Sequence, residues 1–132
     1  MIAVKIYHGT GCENAGAISR EGLKASGRES RWPEESMKTT DFEKLAPTGV
    51  YLTRSIDSAL YFGREASRSG DVCIFEVTCL ANGARIGSDG WGDEMTDKPV
   101  PPGCLRLIPR PEIATMVGID EDALDGYIDG LR

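Results

Sequence analysis

A single histidine, His8, stands before Gly9-Thr10-Gly11, and Tyr51, Ser58 and Tyr61 follow at wider spacing in the 132-residue chain. Residues of these types can hold a flat, electron-poor ring. Aromatic faces attract a cation at short range, and an amide carried on the ring asks for both a donor and an acceptor nearby. At Gly9 a side chain would obstruct close approach of a ligand to the backbone. Each residue taken singly has a plainer reading: a glycine after a strand marks a turn, and a histidine or tyrosine beside apolar neighbours such as Val50, Leu52 and Leu60 packs in a core. The ordered combination is what points to a pocket.

The elements that must position these residues follow from periodicity. Ile2, Val4, Ile6 and His8 alternate on one face of a first strand, which puts the histidine on the apolar side at the strand's end. Residues 13–21 read as a short helix closed by Gly22, where a left-handed residue is needed. Residues 49–53 form a strand, and Ser55 is placed to cap a helix from Ile56 to Arg68. Residues 71–79 are apolar on both faces, as in a strand covered on two sides, and are expected at the middle of the sheet. Leu105 to Ile108 make a last strand, ended by Pro109 and Pro111. Over 121–131, Leu124, Tyr127, Ile128 and Leu131 recur at helical spacing behind Asp120, a suitable N-cap. Residues 25–48, with Trp32-Pro33 and mixed charges, have no apolar period and read as a lid or specificity loop; residues 81–103 are again Gly-, Asp- and Pro-rich. The sum is an α+β fold, a mostly antiparallel sheet with small flanking helices, in one domain spanning 1–132.

Composition narrows the function classes. No apolar run approaches the ~18 residues of a membrane span, and the N-terminus is strand-like rather than a signal peptide, so a cytoplasmic monomer with no membrane partner is expected. Four cysteines, Cys12, Cys73, Cys79 and Cys104, form no C-x-x-C pair, and one histidine cannot complete a zinc finger; reduced thiols and no metal are expected, with Cys73 and Cys79 as small apolar filler. The net charge of −6 is uneven. Residues 1–70 hold 10 basic and 9 acidic side chains, and 71–132 hold 5 and 12. Binding to long nucleic acid through the backbone is disfavoured, because it needs a broad cationic surface. A local rim of Arg20, Lys24, Arg28 and Arg31 is most simply a solvated helix end and loop.

Read in order, Tyr7-His8-Gly9-Thr10, the short helix ending in Gly22-Leu23, Gly49-Val50-Tyr51-Leu52-Thr53 and Ser58-Ala59-Leu60-Tyr61 resemble the poly-ADP-ribose polymerase and diphtheria-toxin branch of the ADP-ribosyltransferases. The resemblance covers about Ile6 to Val77. It implies a compact split two-sheet core with NAD+, the co-substrate, in the cleft between the sheets. By that resemblance His8 meets the nicotinamide-side ribose, the Gly9 backbone and Ser58 read the carboxamide, and Tyr51 and Tyr61 take the two ring faces, with Thr10 and Thr53 beside them. It also implies cleavage of the nicotinamide–ribose bond through an oxocarbenium-like transition state, followed by attack of a protein or nucleic-acid acceptor.

The chain departs from the polymer-forming pattern, which places a glutamate at the start of the last strand. The matching slot holds Cys104, with Arg106 on the same face, so transfer of a single ADP-ribose is expected and polymer synthesis is not. Glu94, on the loop containing Asp93-Glu94, is the favoured source of the catalytic carboxylate, ahead of Glu112. Two rivals remain. An RNA 2′-phosphotransferase-like enzyme would draw on Arg54 and Arg106; a non-catalytic module would bind NAD+ or ADP-ribose without turnover. A toxin-like, phage–host or housekeeping role would each suit such a transferase.

Overall fold

Buried residues alternate and cluster along Ile6–Gly11 and Val72–Val77, and the sheet grows outward from these two strands. The computed structural model describes residues 5–24, 50–84, 86–88, 93–96 and 98–131. Within them, β1 (Ile6–Gly11), β2 (Val50–Thr53), β3 (Val72–Val77), β4 (Ile86–Ser88), β5 (Asp93–Thr96) and β6 (Leu105–Leu107) form a six-stranded sheet in the order β4-β5-β2-β1-β3-β6. All of its described pairings are antiparallel. Helices α1 (Ala15–Glu21), α2 (Ile56–Ala66), α3 (Arg110–Val117) and α4 (Leu124–Asp129) flank it, so the α+β, mostly antiparallel expectation holds. The expected 25–48 lid, with Trp32, Arg28 and Arg31, lies outside the described residues, as does Gly49.

The sheet is unevenly joined. β1 and β3 pair from Ile6 opposite Val77 to Gly11 opposite Val72, and β2 and β5 from Val50 opposite Thr96 to Thr53 opposite Asp93. Between β1 and β2 the register is carried, among the described residues, by Tyr7 opposite Thr53 alone. The strands make one continuous sheet and not the two sheets that the resemblance implies, narrowest at a seam between its β4-β5-β2 and β1-β3-β6 parts. Strand β3 is interior, as its apolar faces require, but lies one place from the β6 edge and not at the centre.

The β1-β3-β6 part is held by close helix packing. Helix α2 starts at Ser55, whose hydroxyl accepts from Ser58 N–H at 3.1 Å, and it crosses β1 with Ala59, Leu60 and Gly63 inward. A Cβ on Gly9 would overlap the Ala59 carbonyl oxygen, and one on Gly63 would come within 2.5 Å of Val72 Cγ1. Gly9 is thus required by the helix above it, whatever a ligand also asks of that backbone. On that side Tyr7, Val72 and Ile74 pack with α2, α3 and α4; on the other, Ile6, Val50, Leu52 and Val77 pack with Leu23 and Val100. At Gly22 the backbone has φ 82°, which lets Leu23 turn back to pair with Val100.

Several boundaries shift for local reasons. β1 runs on through Gly11, so His8 is its third residue and not its end. Helix α2 stops at Ala66 because Ser67, Arg68 and Ser69 turn to enclose the Glu13 carboxylate: Arg68 N–H donates at 2.7 Å, Ser69 N–H at 3.3 Å, and the hydroxyls of Ser67 and Ser69 at 3.2 and 3.1 Å. Residues 81–103 supply β4 and β5, and Asp93-Glu94 lies in β5 rather than in a loop. Pro111 sits in the first turn of α3, where a missing N–H costs nothing, so the prolines that end β6 also open a helix.

The reduced-thiol expectation is overturned. Cys12 is joined to Cys73 and Cys79 to Cys104, with Cα atoms 5.0 and 4.8 Å apart. Both pairings run to β3 or its end, one from each neighbouring strand's side. Cys73 and Cys79 are cross-links, not apolar filler.

Candidate functional site

His8 shares its side of β1 with Ile6 and Thr10 and is half-buried. Its Nδ1 lies 2.9 Å from the Tyr51 carbonyl oxygen, across the seam. A carbonyl only accepts, so Nδ1 carries the proton and donates, and in the neutral ring Nε2 is left as an acceptor. Burial pushes the imidazole pKa below its ordinary 6.5, and the Tyr51 carbonyl opposes this more weakly. The neutral tautomer that can accept from a sugar hydroxyl is therefore the one this position favours.

The two tyrosines come together through a residue that the sequence reading did not single out. The Tyr51 ring meets Phe62 edge-on with centroids 4.9 Å apart, and Tyr61 meets the same ring at 5.3 Å. Phe62 follows Tyr61 on α2, and with Ser58 and Glu65 it completes a stripe at helical spacing; that stripe was the available signal. Arg64 was missed as well. Its guanidinium lies 5.2 Å from the Tyr61 ring centre, over its face, while donating to the carbonyls of Ile128 (2.7 Å) and Asp129 (3.1 Å). Tyr61 and Arg64, with Glu65, Asp129 and Leu131, border an open depression of about 630 Å³ that includes neither His8 nor Tyr51.

The hydroxyl residues are mostly structural. Thr10 is buried and its Oγ1 accepts from Asn14 Nδ2 at 3.3 Å. Thr53 is fully buried, and its Oγ1 accepts from Ser55 N–H at 3.1 Å, turning the chain into α2. Ser58 is half-buried in the first turn of α2, one turn before Tyr61 and Phe62. Glu94 pairs with Leu52, next to Tyr51 on the neighbouring strand, so β5 brings that position to the unit facing His8 across the seam.

The last-strand slot is occupied otherwise. Cys104 is buried in a short 3-10 turn, Pro102–Cys104, ahead of β6, and is bonded to Cys79. Arg106 bridges Glu76 at 3.2 Å and Glu112 in a two-point pair at 3.1 and 2.6 Å, which ties β6 to β3 and α3 and lowers the Glu112 pKa. Cys104, Arg106 and Glu112 thus each have a protein partner. Among the described residues no group of three or more His, Cys, Asp or Glu side chains is placed to hold a metal, and no helix is long and apolar enough to cross a membrane.

No protein-family model matches the chain, and no curated protein matches it.

Proposed function

We propose that the chain is an NAD+-dependent mono-ADP-ribosyltransferase that takes the nicotinamide end of NAD+ where β1 and β2 part. The observation that supports this reading is the seam: among the described residues β1 and β2 register only at Tyr7 and Thr53, and the neutral His8 ring reaches across to the Tyr51 carbonyl. That is where the resemblance puts its split core and its histidine. His8 Nε2, on the Ile6 side of the sheet, would accept from a ribose hydroxyl, while Tyr51, Phe62 and Tyr61, on the α2 side, would supply the aromatic wall for the ring, so the ligand would have to cross at the seam. Catalysis would come from positioning and from stabilising charge as the nicotinamide–ribose bond breaks, with Glu94 on β5 as the source of the carboxylate.

The commitment of Cys104 and Arg106 favours one second reading. With no carboxylate at the start of the last strand, a module that binds NAD+ or ADP-ribose without turnover fits the same pocket. Arg106, one of the two arginines on which the 2′-phosphotransferase alternative would draw, is paired with Glu76 and Glu112.

Incubation with labelled NAD+ and cell lysate, followed by separate protease and nuclease digestion, tests the transferase and sorts its acceptor. Label on a macromolecule, lost in a folded His8→Ala protein, is the expected result. Nicotinamide release with no labelled acceptor would indicate a hydrolase, and binding without release the non-catalytic module. Full activity in folded His8→Ala would end the assignment.

A further inference from the structure

We infer that the Cys79–Cys104 disulfide is a redox-addressed tether on the β4–β5 arm, and that a dithiol releases this arm at the seam. The chain between the two cysteines leaves the end of β3, crosses to the far unit, builds β4 and β5 there, and returns to β6. Two of the three strands facing the His8 unit therefore hang from one covalent closure. Among the described residues, and beyond the β3–β6 pairing that starts at Val77 and Leu105, the base of the arm is bonded by Thr78 N–H donating to the Cys104 carbonyl at 2.8 Å and by the reciprocal bonds of Leu23 and Val100 at 2.9 and 2.8 Å. The strand that receives the arm, β2, itself registers with β1, among the described residues, through a single residue pair.

The two disulfides differ in how they can be reached. Cys79 is exposed and Cys104 buried, whereas Cys12 and Cys73 are both half-buried. Reduction runs by attack of one thiolate of the dithiol on the Cys79 sulfur. The Cys79–Cys104 bond breaks, and Cys104 leaves as a thiolate that takes up a proton. The second thiol then displaces Cys79, so two electrons pass to the protein and the dithiol ends as its own disulfide. The Cys12–Cys73 corner has further support, since Cys12 N–H donates to the Asp71 carbonyl at 3.0 Å and Glu13 is enclosed by Ser67, Arg68 and Ser69. Losing that disulfide leaves the native corner bonded; losing the other leaves the arm's base, among the described residues, on backbone hydrogen bonds and apolar packing alone.

What arm release controls rests on the proposed NAD+ site, because β5 carries Glu94 beside Tyr51's strand; the release itself does not rest on it. The experiment uses the unmodified chain with both disulfides intact, titrated with dithiothreitol, with alkylated cysteines mapped by peptide mass and amide exchange followed without ligand. Cys79 and Cys104 are expected to label before Cys12 and Cys73. With that labelling, amides of 93–96 and Val100 should exchange at least about ten-fold faster, while those of β1 and β3 keep their protection. A Cys79→Ser, Cys104→Ser double variant should show the same pattern without reductant; should it fail to fold, the titration of the unmodified chain decides alone. Earlier labelling of Cys12 and Cys73, or unchanged β5 exchange once Cys79 and Cys104 are both alkylated, would overturn the tether. NAD+ binding measured before and after reduction then tests the pocket separately: its absence in both states counts against the pocket and leaves the exchange result standing.

Discussion

At His8 two opposed effects set the protonation state. Burial disfavours the imidazolium, the Tyr51 carbonyl favours it, and burial is the larger. The folded state then binds fewer protons than the unfolded one, so the stability this group contributes is present above 6.5 and is lost as pH falls below it. Because the chain holds one histidine, imidazole ¹H–¹⁵N spectra report this site without ambiguity. They should show a midpoint below 6.5 and the proton on Nδ1 in the neutral form; a midpoint at or above 6.5, or the Nε2–H tautomer, would remove the acceptor that the mechanism needs. Glu13 works in the same direction at lower pH. Backbone N–H of Arg68, with further donors from Ser69, brings its carboxyl from 4.5 to about 2, so its stabilisation is complete above 4.5 and fades toward about 2. Glu13→Gln should lower stability at pH 7 and flatten the acid limb of denaturation between those values; an unchanged acid limb would show that the loop closes without the charge. His8 and the tyrosines were legible because their types and order are unusual together. Phe62 and Glu13 were not, since a phenylalanine beside a tyrosine looks like packing and a glutamate two residues past a glycine looks like helix surface.

Helix α2 and strand β1 show why elements near the site were readable and those farther away were not. Ser55 as a cap, the alternation in β1 and the apolar run of β3 are local signals, and each produced the element expected. β4, β5 and α3 depend on tertiary partners: short strands in Gly-, Asp- and Pro-rich chain gain their stability from β2, and α3 begins on Arg110-Pro111, a pattern equally able to end a strand. The crossing of α2 over β1 makes a sharper prediction. Gly9→Ala forces a methyl into the Ala59 carbonyl, a backbone group that cannot turn aside, and Gly63→Ala presses on Val72 and on Thr10 N at 3.0 Å. Overpacking of this kind costs roughly 1–3 kcal/mol, with Gly9 expected at the upper end or beyond. Gly103→Ala, where the added Cβ has no neighbour within 4 Å, is the control and should stay within about 0.5 kcal/mol. Equal denaturation midpoints for Gly9→Ala and Gly103→Ala would mean that the helix does not sit this close.

Across the whole molecule the cysteines change both the stability and the setting. Their spacing could not disclose the pairing, because Cys12 and Cys73 are 61 residues apart and become neighbours only when β1 lies on β3. Disulfides persist where the surroundings are oxidising and are reduced where they are not, so both cross-links depend on the redox state around the chain. The two cross-links also divide their work. In the chain-entropy account, closing a 61-residue loop restrains the unfolded state by about 4 kcal/mol, and that loop takes in α1, β2 and α2. Cys12–Cys73 should therefore govern global unfolding even though its native corner has other bonds, while the exposed Cys79–Cys104 pair governs local opening of the arm. A Cys12→Ser, Cys73→Ser double variant is expected to lose about 3–4 kcal/mol in denaturant and roughly 10 °C or more in Tm, with its native β1 and β3 amides still among the slowest to exchange. If that variant unfolds within about 1 kcal/mol of the parent, this loop is already restrained in the unfolded chain and the division between a global and a local cross-link does not hold.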